Sequence, residues 1–207
     1  MILDLLEKRF SVRKFQEKPV PAGVLEEILE AGRLAPSGGN EQPWRFGVIC
    51  DRALIAEIAE IAYRQTWIAS APLLIVLCTT PVEDARGGRD IQKQRYPEYA
   101  DEIAEMDQDL YWAINQEEHQ SKIAGTQMAL VALEHGMGSC WVSRFRVKAL
   151  AERLRLPSPI LPAEILVLGY PRRQRAQATK KARDEVVFYD TFGPRKVSQN
   201  QLVEDAR

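Results

Sequence analysis

Two hydrophobic periods alternate along the chain and predict the order of its elements. Residues 4–10 read as a short helix with Leu5 and Leu6 inward, and Pro19-Val20-Pro21 then breaks the chain. Residues 22–34 follow the helical period, with Val24, Leu25, Ile28, Leu29 and Gly32 along one side. A polar turn rich in Gly and Pro follows, and residues 45–50 read as a strand. Asp51 is placed to cap a helix running to about residue 65, with Leu54, Ile55, Ile58 and Ile61 on its apolar face. Residues 73–79 are apolar throughout, the signature of a central strand covered on both sides. Residues 81–109 turn polar and read as an inserted lid or a pair of surface helices. The longest predicted helix, residues 110–135, mixes Ile123, Met128, Leu130, Val131 and Leu133 with small residues, which allows burial nearly all round. His135-Gly136 ends it. Strands are predicted at 138–144 and 163–171 with a short helix at 148–154 between them. Residues 185–189 alternate weakly as a last strand, and 190–207 read as a tail. No internal repeat or linker interrupts this order, so 1–207 reads as a single domain.

Composition narrows the function classes. With 207 residues, 45% of them hydrophobic and 28% charged, the chain is long enough for a sizeable core. A formal net charge of -1 gives no support to nucleic-acid binding. No apolar run approaches the ~20 residues that span a bilayer, and the acids among the first nine residues argue against a secretory signal. Cys50, Cys78 and Cys140 each lie in an apolar run and form no C-x-x-C pair, so they read as buried, reduced thiols of a cytoplasmic protein. His119 and His135 lack ligand spacing, and no metal site is expected. His119, at the start of the long helix, reads as a surface or capping residue.

Two stretches carry candidate chemistry. If Phe10 to Phe15 is extended, Ser11 and Arg13 share one face with Arg9, and Val12 takes the other. Two guanidinium forks and a hydroxyl on one side suit a phosphate. In Ala35-Pro36-Ser37-Gly38-Gly39-Asn40-Glu41-Gln42-Pro43-Trp44-Arg45-Phe46, two prolines fix the backbone while two glycines permit close approach of another molecule. Together they resemble the R-x-S-x-R/K opening and the A-P-S-x-x-N-x-Q-P-W-x-F turn of the nitroreductase family, in the family's order and spacing. The likeness continues to about Tyr189.

That resemblance implies an α+β fold, a mixed central sheet surrounded by helices, in an intertwined homodimer whose long helix runs through the dimer centre. It implies FMN as cofactor and NADH or NADPH as electron donor, followed by reduction of a small organic acceptor such as a nitroaromatic or quinone in a ping-pong cycle. Arg9, Phe10, Ser11 and Arg13 are expected at the FMN phosphate end, joined by a basic residue before the last strand, Lys180 or Lys181. Pro36, Ser37 and Gly38 match positions that touch the flavin ring from the partner subunit, while Asn40 and Gln42 suit the ribityl chain or pyrimidine edge. Trp141, Val142 and Ser143 match a strand beside the ring, with Ser143 or a nearby N–H near flavin N5, where it would tune one- against two-electron chemistry. Hydride transfer needs no protein acid or base, so no catalytic residue is expected.

Other readings are weaker. Ser11-Val12-Arg13-Lys14 fits S-x-x-K but lacks the accompanying S-D-N and K-T-G elements of a hydrolase. A Cys140 nucleophile paired with His135 has only composition behind it. Gly136-Met137-Gly138 begins a dinucleotide fingerprint that fails at Trp141 and lies on a helix-to-strand path. A non-catalytic flavin-binding or storage role and an iodotyrosine-type reductive dehalogenase remain as alternatives. The dehalogenase relatives carry a substrate lid before the strand that here is 73–79, whereas this chain's insertion follows it.

Overall fold

The structure, a computed structural model, describes residues 1–80, 88–107, 110–111, 118–176 and 178–192. It forms two compact units, 1–176 and 177–207.

The first unit is built on an antiparallel sheet of four strands in the order β1-β2-β4-β3. The strands are β1 (Trp44–Ile49), β2 (Leu73–Thr79), β3 (Gly138–Val142) and β4 (Leu161–Gly169). Register runs Gly47↔Val76 between β1 and β2, Val76↔Ile165 between β2 and β4, and Cys140↔Val167 between β3 and β4. The sheet is therefore antiparallel rather than mixed as expected; the parallel pairing among the described residues is an isolated bridge outside it, Ser11↔Ser139. Every residue of β2 is buried, as its unbroken apolar run requires. On one face, Leu74, Val76, Ile165 and Val167 pack with Ile55, Ile58 and Leu150, from helices α3 (Arg52–Ile61) and α7 (Val147–Arg153). On the other, Leu73, Ile75, Leu77, Leu166 and Leu168 pack with Ile28 and Met128, from α2 (Ala22–Arg33) and α6 (Glu118–Glu134). A short α1 (Ile2–Lys8) precedes them, and α4 (Gly88–Arg95) and α5 (Ala100–Glu105) lie within the insertion. Helix α6 approaches the sheet closely at Gly125, where a Cβ would stand 2.5 Å from both Leu77 and Trp141.

Several boundaries differ from the sequence reading. Asp51 does cap α3, accepting the Leu54 N–H at 2.7 Å, but the helix ends at Ile61. Beyond it Tyr63 and Arg64 adopt φ of 56° and 58°, which no helix continues. Strand β1 stops at Ile49, so Cys50 lies outside the sheet and is exposed, while Cys78 and Cys140 are buried; all three are free thiols. Burial pushes the Cys78 thiol up to about 12. Strand β3 ends at Val142, leaving Ser143 and Arg144 outside the ladder. The long helix predicted over 110–135 runs Glu118–Glu134, and residues 112–117 and the side chain of His119 lie outside the described residues. Residues 81–87 and 108–109 of the insertion and 193–207 of the tail also lie outside them.

In the second unit the expected strand at 185–189 is instead helix α8 (Arg183–Val186) followed by extended chain. Glu185 folds back to accept the Ala182 N–H at 2.7 Å, which satisfies a helix N-terminus rather than a ladder. Phe188 and Phe192 meet edge to face, 5.5 Å between centroids.

Candidate functional site

The segment after α1 is pinned by its apolar residues and offers its polar ones outward. Val12 and Phe15 are buried to 2% and 1% exposure. The Val12 N–H donates to Ser139 O at 3.0 Å, and Gln16 N–H donates to Tyr170 O at 2.8 Å. Alternation then leaves Ser11 and Arg13 exposed, with Arg9 half-buried, as the sequence predicts. Ser11 bridges to Ser139, which sets the segment beside Cys140 on β3. Its thiol is pushed up by burial, against which Arg13, a hydrogen bond with Ser11, and Arg9 act in the opposite direction. Phe10 packs half-buried against the α3-side core. Arg13 lies over the Trp67 ring at 5.7 Å, and among the described residues neither Arg9 nor Arg13 has a carboxylate partner. A half-enclosed cavity of about 370 Å³ opens beside Arg9 on the Val12 side of the segment, lined also by Lys8, Ser139 and Gln174 but by neither Ser11 nor Arg13. Two unneutralised guanidiniums and a hydroxyl form a donor set whose chemistry fits a phosphate group.

The Pro36–Gln42 turn is held from within and from α6. Ser37 Oγ accepts the Gln42 N–H at 2.9 Å, and Ser37 O accepts Asn40 N–H at 3.0 Å. Gly39, Asn40 and Gln42 have φ of 58°, 58° and 50°, a left-handed path that glycine and asparagine accept more readily than glutamine. The Gln42 side chain donates to Asn40 Oδ1 at 3.2 Å. The Gly38 N–H donates to Gln120 Oε1 at 2.8 Å, so the first turn of α6 anchors the loop. Pro36, Gly38, Asn40 and Gln42 remain exposed, while Pro43 and Trp44 are buried beneath them. Among the described residues no hydrogen bond or ion pair joins this loop to Arg9, Ser11 or Arg13.

At the end of β3, Trp141 is half-buried against Gly125, and Val142 sits in the α3-side core at 3% exposure. Only the backbone of Val142 is therefore free to face a ligand. Ser143 is exposed, as is Arg144, whose guanidinium lies 5.0 Å from the Tyr63 ring centre. Lys180 and Lys181 are exposed on the second unit. Sequence reasoning missed Gln120, Trp67, Tyr63 and Arg144. Each acquires its role from a residue distant in the chain, and no local pattern marks it.

Comparison with known proteins places this geometry. The nitroreductase family model matches residues 6–170. A Thermus thermophilus protein named NADH dehydrogenase is 32% identical over 194 residues, covering 88% of this chain and 92% of that one. The Bacillus subtilis FMN reductase [NAD(P)H] is 25% identical over 194 residues, covering 92% and 74%. Among solved structures, NfrA2 of B. megaterium superposes with a TM-score of 0.75 at 19% identity, over 93% of this chain and 75% of that chain, a likeness of fold. Fold, motif order and family match agree: the chain belongs to the nitroreductase family.

Proposed function

We propose that this protein is an FMN-dependent NAD(P)H oxidoreductase that reduces a small organic acceptor such as a nitroaromatic or quinone. The observation that carries the reading is the segment pinned at Val12 with Ser11 and Arg13 exposed on one side and Arg9 half-buried before them, both guanidiniums lacking a carboxylate among the described residues. Those residues would hold the phosphate, with Lys180 or Lys181 as a further cation. Bound FMN would supply the redox chemistry that links hydride donation by NAD(P)H to reduction of the acceptor. The chain's own share is to bind and orient. Backbone N–H groups and Ser143 at the end of β3 would meet the ring edge, and Pro36, Ser37 and Gly38 would cover a face of it. Asn40 and Gln42 would supply amide hydrogen bonds. Donor and acceptor would use the same exposed side in turn, a ping-pong order.

We further propose a homodimer in which the Pro36–Gln42 loop serves the partner's flavin. The loop and the Arg9–Arg13 segment are anchored separately within one chain, which supports the division of labour. Ile123 on α6 is 42% exposed, and Leu130, Val131 and Leu133 of the same helix are only half-buried. A groove of about 940 Å³ beside α2 and β1 presents Leu29, Leu34, Phe46 and Val131. Exposed apolar area of this kind favours a second copy as its cover. Three free thiols support a reducing, cytoplasmic setting.

Anaerobic titration of the FMN-loaded protein tests the enzyme reading. NADH or NADPH should bleach the flavin, and a nitroaromatic or quinone should restore its colour. A flavin that neither donor bleaches would favour a binding or storage role.

A further inference from the structure

The turn between α3 and β2 is built in a costly conformation. Tyr63 and Arg64 are the only adjacent non-glycine residues with positive φ among the described residues, at 56° and 58°. Bulky side chains adopt that region only where the surroundings over-determine it, and such positions gather at ligand sites. Here the surroundings do so. Ala62 is fully buried, Gln65 N–H donates to Ala59 O at 3.2 Å, and Thr66 N–H donates to Arg64 O at 2.8 Å. The Gln65 side chain donates to Ala62 O at 3.0 Å and to Arg144 O at 3.1 Å. Arg146 N–H donates to Ile61 O at 3.2 Å, closing a second link between the same two segments.

The outcome is an arranged pair of side chains. The Tyr63 ring is 51% exposed, and the Arg144 guanidinium is held 5.0 Å from its centre. Glu60 is engaged by Arg64 at 3.3 Å, and Arg144 has no carboxylate partner among the described residues. A guanidinium held over a ring keeps its N–H rim available, and that rim matches a carboxylate bidentately. Arg144 directly follows Ser143, at the end of β3 where the flavin ring edge is expected.

We propose that Arg144, set by Tyr63 and Gln65, selects flat aromatic acceptors that carry a carboxylate. Arg144 is the specificity residue; Tyr63 and Gln65 are positioning residues. The assignment rests on the flavin reading for the acceptor's place and on the turn's geometry for its chemistry.

The test compares 4-nitrobenzoate with the neutral 4-nitrobenzamide as acceptors for the FMN-loaded protein. The quantity read is the ratio of their kcat/KM values, with FMN content measured by absorbance in every variant. The wild type should favour the carboxylate, and Arg144→Gln should lower the ratio roughly tenfold or more, the loss of a charge-assisted pair. Tyr63→Gly removes the ring while relieving the left-handed backbone, so it should lower the ratio without lowering the Tm. A ratio unchanged in Arg144→Gln overturns the proposal. If the wild type retains no FMN, the flavin reading fails, and calorimetric titration with 4-nitrobenzoate decides the receptor separately. Binding lost in Arg144→Gln upholds it; no wild-type binding, or binding equal in both proteins, overturns it.

Discussion

Arg13 holds its guanidinium 5.7 Å from the centre of the Trp67 ring, with Ser11 exposed on the same side of the segment. A cation left without a carboxylate is available to an anionic ligand, and losing one charge-assisted bond costs about 1.5–3 kcal/mol. Arg13→Ala should therefore weaken FMN retention by roughly tenfold or more, read by equilibrium dialysis. Arg9→Ala should act in the same direction. Full FMN occupancy in both variants would remove the phosphate assignment. This cluster was legible in the sequence because strand-like alternation alone puts Ser11 and Arg13 opposite Val12, and the structure buries Val12. Gln120 was not legible: its contact with Gly38 joins residues 82 apart, and a glutamine on a helix carries no local sign of its partner. Trp141 and Val142 were identified by their place beside the expected ring, yet their side chains serve the two cores.

At the scale of elements, legibility followed the strength of the hydrophobic pattern. Strand β2 was read to its observed ends because its run from Leu73 to Cys78 is unbroken and apolar, with buried Thr79 closing it. Helix α3 was read too long because the stop at Ile61 is set by tertiary hydrogen bonds from Gln65 and Arg146, not by Gly or Pro. The weak alternation at 185–189 was overridden by the Glu185 capping contact. The packing of α6 on the sheet gives a sharp test. A methyl group at Gly125 would meet Leu77 and Trp141 at 2.5 Å, and Leu77 is fully buried with no room to retreat. Gly125→Ala should destabilise the protein by about 1–3 kcal/mol, the usual cost of overpacking, measured by urea unfolding. Because Trp141 would be pushed along β3 toward Ser143, flavin affinity should fall with it. Unchanged stability would show that the helix and sheet are less closely fitted than described.

At the largest scale, the 1–176 unit joins an antiparallel sheet, with helices on both faces, to polar segments that leave it. The 36–42 loop, the 9–13 segment and the 143–144 turn are each fixed by bonds to different elements. That arrangement suits a reaction in which the cofactor supplies the chemistry and the protein supplies position. No helix among the described residues is long and apolar enough to cross a membrane. The most direct test of the account is the visible spectrum of the protein after incubation with FMN and removal of free flavin on a desalting column. The account predicts flavin bands that travel with the protein at one FMN per chain. Protein that emerges without flavin would contradict it.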